Sequence, residues 1–268
     1  MSTSYRRLRI LCAALGMAAV LIWPPVPLRA GTLSLSVGPL LIEFTTGSGE
    51  TANQRVTVKN SGTDRERIIL QPIDWRNGVD GSFKMERLGT EDTSSLTQFL
   101  RISATDVTLA PGESRDLALT LDLPSSFSNV PGVYWGGYNV RAVSAGESSG
   151  SFGAAANILV LNTIGKPKTH VKLVQLHVTP VGHDGAAIDA RFVNDAVGYV
   201  RPTVRVLVSQ GPRIVHDESE GTGTVFPGGT RLFTKNLSGL PPGDYDLELT
   251  IDYGGSTLID GTTKFSIR

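Results

Sequence analysis

The feature that most limits the fold of this chain is its hydrophobic pattern, which shows almost no helical periodicity from residue 33 onward. Short runs of alternating or β-branched residues recur instead, and Gly, Pro, Asn and Asp separate them. Such runs, at spacings of roughly 8–12 residues, are typical of sandwiches built from many short strands. The 30 Gly and 15 Pro agree with a chain that turns often. We therefore predict an all-β protein.

The first half contains eight predicted strands and one tight hairpin. Pro39 marks a kink or an edge position in the first strand, because proline has no N–H to donate to a ladder. Residues 77–81 supply the hairpin, and the polar stretch 90–98 has room for a short helical turn. The predicted strands cover residues 33–44, 52–60, 66–75, 82–87, 105–109, 114–123, 133–145 and 154–167.

The second half repeats the landmarks of the first. A strand ends at Asn60 in one half and at Asn194 in the other, and a turn follows each. A Pro-Gly pair precedes a polar strand start, and a later Pro-Gly-x-Tyr opens an apolar strand, so that Tyr134 corresponds to Tyr245. The predicted strands here cover residues 170–178, 186–194, 200–208, 222–226, 230–236, 245–253 and 262–267.

The repeat predicts two tandem immunoglobulin-like β-sandwiches of similar topology. A chain of 268 residues is long enough for two domains, each of which buries its own core. We place the first domain at residues 31–166 and the second at residues 167–268.

Residues 1–30 have the pattern of an export signal. Arg6, Arg7 and Arg9 precede an apolar run over residues 10–23, and a helix-breaking segment ends at Ala30. The run is shorter than the roughly 20 residues that a spanning helix needs, which favours cleavage over a retained anchor. Removal of the signal leaves 21 positive against 25 negative residues and no cysteine, since the single Cys12 lies in the apolar run. We expect a periplasmic or otherwise exported protein without disulfides and without a footprint for nucleic acid.

The last strand of the first half, residues 154–167, is apolar on both faces. Its centre, residues 158–161, has four consecutive apolar side chains, so a strand here directs apolar groups both ways. Such a strand is either buried in a sandwich or offers an edge for another strand to pair with. The polar loop before it, residues 146–153, is expected to be flexible.

Taken together, these segments resemble the periplasmic pilus-chaperone (PapD-like) superfamily. The resemblance is carried by SLSVGPLLIEF, VTVKNSG, LAPGESRDLALTL, VYWGGYNVRAV and ANILVLNTIGKP. The same pattern is similar to the N-terminal region of WxL-interacting surface proteins. Those proteins carry a spanning helix and a basic tail, which this sequence does not show up to Arg268.

The resemblance implies a non-enzymatic protein whose last strand of the first domain completes a partner's sandwich by strand addition. By position, Ile158 and Val160, with Ala156 beside them, would supply the apolar side chains for this contact. The family anchors a terminal carboxylate with two cations, and the matching positions here are Leu41 and Asn162. Neither residue has the positive charge that a charge-assisted bond of this sort needs.

The aromatic strand offers a second candidate surface. Tyr134, Trp135 and Tyr138 surround a Gly-Gly pair and could form a platform for glycan or peptide, although core packing is the favoured interpretation. Tyr134 and Tyr138 share one face, whereas Trp135 points to the other. Trp75 is expected in the core of the first sandwich.

The remaining polar residues do not form a pattern typical of catalysis. The four histidines (His170, His177, His183, His216) lack paired metal-ligand spacing and are expected at the surface. The acidic clusters 217–220 and 244–246 lack a full set of Ca²⁺ ligands and are interpreted as solvated loops. We expect no enzyme activity, no cofactor and no metal.

Two functional hypotheses follow from the sequence. The first is an exported chaperone-like or assembly protein, as in pilus assembly, that binds extended β segments of a surface or secreted protein through an edge strand. The second is a cell-envelope adhesion or glycan-binding module that uses the aromatic strand.

Overall fold

The computed structural model describes residues 32–86, 94–145 and 153–268. The predicted signal and most of the predicted loop 146–153 lie outside the described residues. The first ten strands are β1 Leu35–Gly38, β2 Leu41–Phe44, β3 Thr51–Asn60, β4 Glu66–Asn77, β5 Phe83–Glu86, β6 Leu100–Ile102, β7 Asp106–Leu109, β8 Ser114–Asp122, β9 Gly132–Ser144 and β10 Ala155–Ile164. The other seven are β11 Val171–Val181, β12 Gly185–Asn194, β13 Thr203–Gln210, β14 Arg213–Gly221, β15 Thr230–Leu237, β16 Gly243–Asp252 and β17 Ile259–Ile267.

The strands form two sandwiches, which confirms the predicted fold class. In the first, a sheet of order β1-β3-β8-β6 faces a sheet of order β2-β10-β9-β4-β5, in which β7 also pairs with β4. In the second, β11-β12-β15 faces β14-β13-β16-β17. Strand pairing is antiparallel except between β2 and β10, which run parallel. Residues 31–268 pack as one compact unit, and the domain boundary at residue 167 stays a prediction.

Alternation along the strands fills the two cores. Val56 and Val58 on β3 point to the same side of their sheet as Leu117, Leu119 and Leu121 on the neighbouring β8. All five side chains are almost fully buried in the first core. The residues between them are exposed or half-buried, as expected for strands with one face on a core.

The predicted first strand is two strands that belong to different sheets. The strand partner changes at Pro39, which follows a cis peptide bond and has no N–H to donate to a neighbouring strand. Before it, β1 pairs with β3, and after it, β2 pairs with β10. The opening segment therefore joins both sheets of the first sandwich.

The two asparagines of the repeat make the same contacts. Nδ2 of Asn60 and of Asn194 donates to two backbone carbonyls, one of which lies four residues later. Each Oδ1 accepts an N–H from two residues later, which closes the turn. The carbonyl partners are those of Asp64 and Leu109 for Asn60, and those of Gly198 and Val225 for Asn194.

The tyrosines of the repeat also correspond. The hydroxyl of Tyr245 donates to the carbonyl of Pro241 at 2.5 Å, and that of Tyr134 donates to the carbonyl of Val130 at 3.3 Å. Both bonds reach back four residues, as expected for a tyrosine that ties a strand start to its corner.

Three further predictions of local structure were wrong. Residues 222–226 do not form a strand, because only Val225 pairs, through a single bridge to Val200. Both acidic stretches interpreted as loops belong to strands: residues 244–246 lie in β16, which pairs with β17, and residues 217–220 lie in β14, which pairs with β13 along its length. Asp217 there accepts two hydrogen bonds from Arg205, each 2.7 Å long, so a cross-strand ion pair supports an acidic strand.

Candidate functional site

One edge of β10 is only half covered. β2 pairs only with Leu159–Asn162, so the first part of β10 is paired with β9 on one side and with no described strand on the other, although β1 lies nearby. The N–H of Leu159 donates to the carbonyl of Leu40 at 2.8 Å, which shows that odd-numbered residues point their backbone groups toward this side. The backbone N–H and C=O of Ala155 and Asn157 therefore face outward. We call residues 155–158 the free edge of β10.

The apolar side chains of β10 do not reach this edge. Ile158 and Val160 are fully buried and belong to the core of the first sandwich, while Ala156 is half-buried. A partner strand at the free edge would pair with the outward backbone groups of Ala155 and Asn157, and it would not reach the buried side chains of Ile158 and Val160. The role of Ala156, Ile158 and Val160 in partner binding stays a prediction.

Leu41 and Asn162 have different environments. Leu41 on β2 is 43% exposed. Asn162 is fully buried, where its Nδ2 donates to the carbonyl of Thr46 at 2.9 Å and its Oδ1 accepts the N–H of Thr46 at 3.0 Å. The amide of Asn162 thus imitates a backbone pair and extends the β2–β10 contact beyond Phe44.

The three aromatic residues of β9 do not form an open platform. Tyr138 is buried in the first core, its hydroxyl donates to the carbonyl of Leu100 at 3.2 Å, and burial raises its pKa. Tyr134 packs against Phe127 at the edge of the same core. Trp135 points to the opposite face, as the alternation predicts, and its ring contacts Phe226 at 5.0 Å.

Trp75 is buried, but not in the core where the sequence placed it. It lies on the outer face of the β4 sheet, where its ring meets the edge of Phe226 from the second sandwich at 5.1 Å. Its Nε1 donates to the carbonyl of Gly136 at 2.9 Å. Leu161 completes this buried cluster, so β10 presents apolar side chains to two different interiors. We call the contact between the sandwiches the junction.

An ion pair with a third hydrogen-bonding partner lies at the edge of the junction. Arg201 donates to Oε1 of Glu43 at 2.5 Å, and the hydroxyl of Tyr199 donates to the same oxygen at 2.9 Å. Burial alone would raise the pKa of Glu43, but the hydrogen bonds from Arg201 and Tyr199 outweigh it and lower that pKa below its usual value. The carboxylate of Glu43 is therefore held in its charged form.

Polar groups of the first sandwich also contact the loop before β15. Asn77 donates through Nδ2 to the carbonyl of Thr224 at 3.0 Å. The N–H of Leu232 donates to the carbonyl of Val79 at 2.7 Å, which joins the β4–β5 hairpin to β15. The predicted turn at residues 77–81 thus has a second role at the junction.

His170 and Asp195 form a surface pair. His170 contacts Asp195 through Nδ1 at 2.5 Å, and Lys172 pairs with the same carboxylate. Hydrogen bonds from Lys172 and His170 lower the pKa of Asp195 to about 2. In residues 32–86, 94–145 and 153–268, no group of three or more potential ligands could hold a metal ion.

The described part of the chain contains no helix long and apolar enough to cross a membrane.

No family model matches this chain. No curated protein matches it either. Solved structures do match, and structures of fimbrial chaperones are among them. The class 5 fimbriae chaperone CfaA is 12% identical, with 86% of this chain and 99% of that chain covered at a TM-score of 0.45. The CupB2 chaperone of Pseudomonas aeruginosa is 13% identical, with 86% and 100% covered at a TM-score of 0.39.

A third match is the CsuC–CsuE complex of a chaperone with a tip adhesion subunit from Acinetobacter baumannii. The matched chain of this complex is 13% identical, and the match covers 75% of this protein and 89% of that chain at a TM-score of 0.39.

Proposed function

We propose that this chain is an exported, non-enzymatic chaperone-like protein that binds an extended β segment of a surface or secreted partner at the free edge of β10. The observation that carries the proposal is the short reach of β2. It covers Leu159–Asn162 and leaves the outward backbone groups of Ala155 and Asn157 without a strand partner among the described residues. Unpaired N–H and C=O groups at a sheet edge are a template for an added strand.

The free edge adjoins exposed apolar surface. Leu40 and Leu41, where β2 begins, are 51% and 43% exposed. An added strand would end against these two side chains, because β2 occupies the next positions along the edge. Backbone pairing would supply most of the affinity, and the leucines would favour an apolar residue at the end of the bound segment.

Export is supported by the sequence alone. The apolar run at residues 10–23, the cationic residues before it and the small Ala30 after it fit a cleaved signal. Loss of Cys12 with that signal would leave a chain without thiols, as suits an oxidising compartment.

The free edge can be tested with substitutions that change one backbone donor. Ala155 is exposed at an outward position, so Ala155→Pro removes an N–H that the β9 pairing does not use. Ala155→Ser changes the side chain and keeps the N–H, which makes it the matched control. We expect the proline variant to lose partner capture by about tenfold or more, and the serine variant to retain it.

The measurement is capture from the periplasmic fraction of the source cells, followed by hydrogen exchange on the isolated complex. Binding at this edge should slow exchange of the Asn157 amide in the unmodified protein. Equal capture by the proline and serine variants, with unchanged exchange at Asn157, would rule out the free edge as the binding site.

A further inference from the structure

Arg231 is a buried cation without a carboxylate partner. Its side chain is 5% exposed, Nη2 donates to the carbonyl of Thr224 at 2.7 Å, and Nε has no hydrogen-bond partner. No ion pair joins Arg231 to any acidic residue of the described chain, although Asp80 lies close enough to act on it through space. Burial lowers the pKa of Arg231, which reflects the cost of holding this charge away from water.

The guanidinium lies against Gly81 of the β4–β5 hairpin. A Cβ atom at Gly81 would come within 1.6 Å of Nη1, and the φ of +83° also favours glycine. The hairpin of the first sandwich therefore admits the arginine of the second by having no side chain at this position.

Arg231 lines a cavity of about 410 Å³ at the junction. The walls are mostly apolar, and both sandwiches contribute to them. The residues that matter here are Trp75, Phe83 and Leu159 from the first sandwich and Phe226 from the second, with the polar Asn77 and Thr224 beside Arg231. Cavities of this size and character, with a few polar groups, are typical of small-molecule sites.

We propose that this cavity binds a small apolar carboxylate, such as an aryl-acetic or medium-chain acid, with Arg231 as the group that receives its charge. A buried uncompensated cation is stabilised by an anion that enters the same low-dielectric space. The aromatic walls would cover the apolar part of the ligand, and an arginine–carboxylate contact is a strong charge-assisted hydrogen bond. The inference goes beyond the proposed function, since it does not require strand addition at β10.

The test compares two ligands that differ only in charge. Phenylacetate and phenylacetamide have nearly the same shape, and each is titrated into the purified protein while Tm and heat of binding are measured. We expect phenylacetate, at ten times its Kd, to raise Tm by about 3–5 °C, and the amide to leave it unchanged. This comparison needs no variant, so it holds even if a substitution at the junction prevents folding.

Two matched substitutions then locate the site. Arg231→Met removes the charge and keeps an unbranched side chain, and we expect at least a tenfold weaker response to phenylacetate. Arg205→Met makes the same change at an arginine that already has a carboxylate partner, Asp217, and does not line the cavity, so it should leave the response intact. Equal effects of the acid and the amide would overturn the proposal. So would a full response in Arg231→Met, or no response to phenylacetate, benzoate and hexanoate.

Discussion

At the scale of single residues, Asn162 holds β2 in place by presenting an amide where a strand would present its backbone. Both hydrogen bonds to Thr46 are buried, so water cannot replace them when the amide is lost. The position matches one where the pilus-chaperone family has a cation. In this chain it holds a neutral side chain whose hydrogen-bonding groups are satisfied within the sandwich.

We expect Asn162→Leu to lower the free energy of unfolding by about 2–4 kcal/mol, because it leaves the N–H and C=O of Thr46 buried without partners. Urea unfolding measures the loss, and faster hydrogen exchange at the Thr46 amide locates it. The control is Asn157→Ala, which removes a single bond to the half-buried Asn139 and should cost less than about 1 kcal/mol. Similar losses in the two variants would contradict this account of Asn162.

The repeated asparagines lead to a second prediction at this scale. Because Asn60 and Asn194 make the same three bonds, Asn60→Ala and Asn194→Ala should each destabilise their own sandwich by about 2–4 kcal/mol. Chemical denaturation with probes in each half tests the pair. Asn53→Ala is the control, since its bond to Thr120 is exposed, and a change within about 0.5 kcal/mol is expected. Unequal effects at Asn60 and Asn194 would show that the two turns are not equivalent.

At the scale of elements, the sequence predicts strands well where one face is apolar and poorly where a strand is an edge. β3 and β8 alternate clearly, so their bounds differ from the prediction by no more than one residue. β14 is an edge strand in which acidic residues pair with Arg205 and Lys235 of neighbouring strands. Charges at an edge deter unwanted pairing, and they also remove the hydrophobic signal on which prediction depends.

β10 shows a different limit of sequence reasoning. Its run of apolar residues correctly indicated two apolar faces, with burial or an open edge as the alternatives. The structure shows burial on both faces, since Ile158 packs in the first core and Leu161 packs against Phe226 across the junction. Only the contact with the second sandwich explains the second face, and no local pattern reveals such a contact. The free edge was equally hidden, because it depends on where β2 stops.

At the scale of the whole molecule, the junction combines an apolar cluster with charged groups on its rim. Trp75 and Trp135 each contact Phe226 around the buried centre, and Glu43 pairs with Arg201 at the rim. The prediction that Trp75 lies in the core of the first sandwich was wrong. A large apolar residue on a strand indicates a buried face, but it does not indicate whether that face packs inside its own sandwich or against the other one. Residues from the two halves, far apart in the chain, define this contact.

The rim pair makes the stability of the molecule depend on pH. Since the folded-state pKa of Glu43 lies below its ordinary value of 4.5, the contribution of Glu43 to stability is complete above that value and is lost as the pH falls through the folded pKa. We expect the unmodified protein to lose up to about 1 kcal/mol more stability on acidification than Glu43→Gln does. Urea unfolding at several pH values from neutral to about 3 measures the difference. Parallel curves for the two proteins would show that Glu43 contributes nothing.

The position of β2 beside β10 has a consequence for the order in which the molecule assembles. A chain that emerges from its N-terminus delivers Thr46 long before Asn162, which lies 116 residues later. Until β10 has been made, β1 can pair with β3, but β2 has no strand to pair with in the other sheet. Contacts this distant in sequence form slowly, because the loop between them must close first. β2, although it lies near the start of the chain, is therefore among the last strands of the first sandwich to dock.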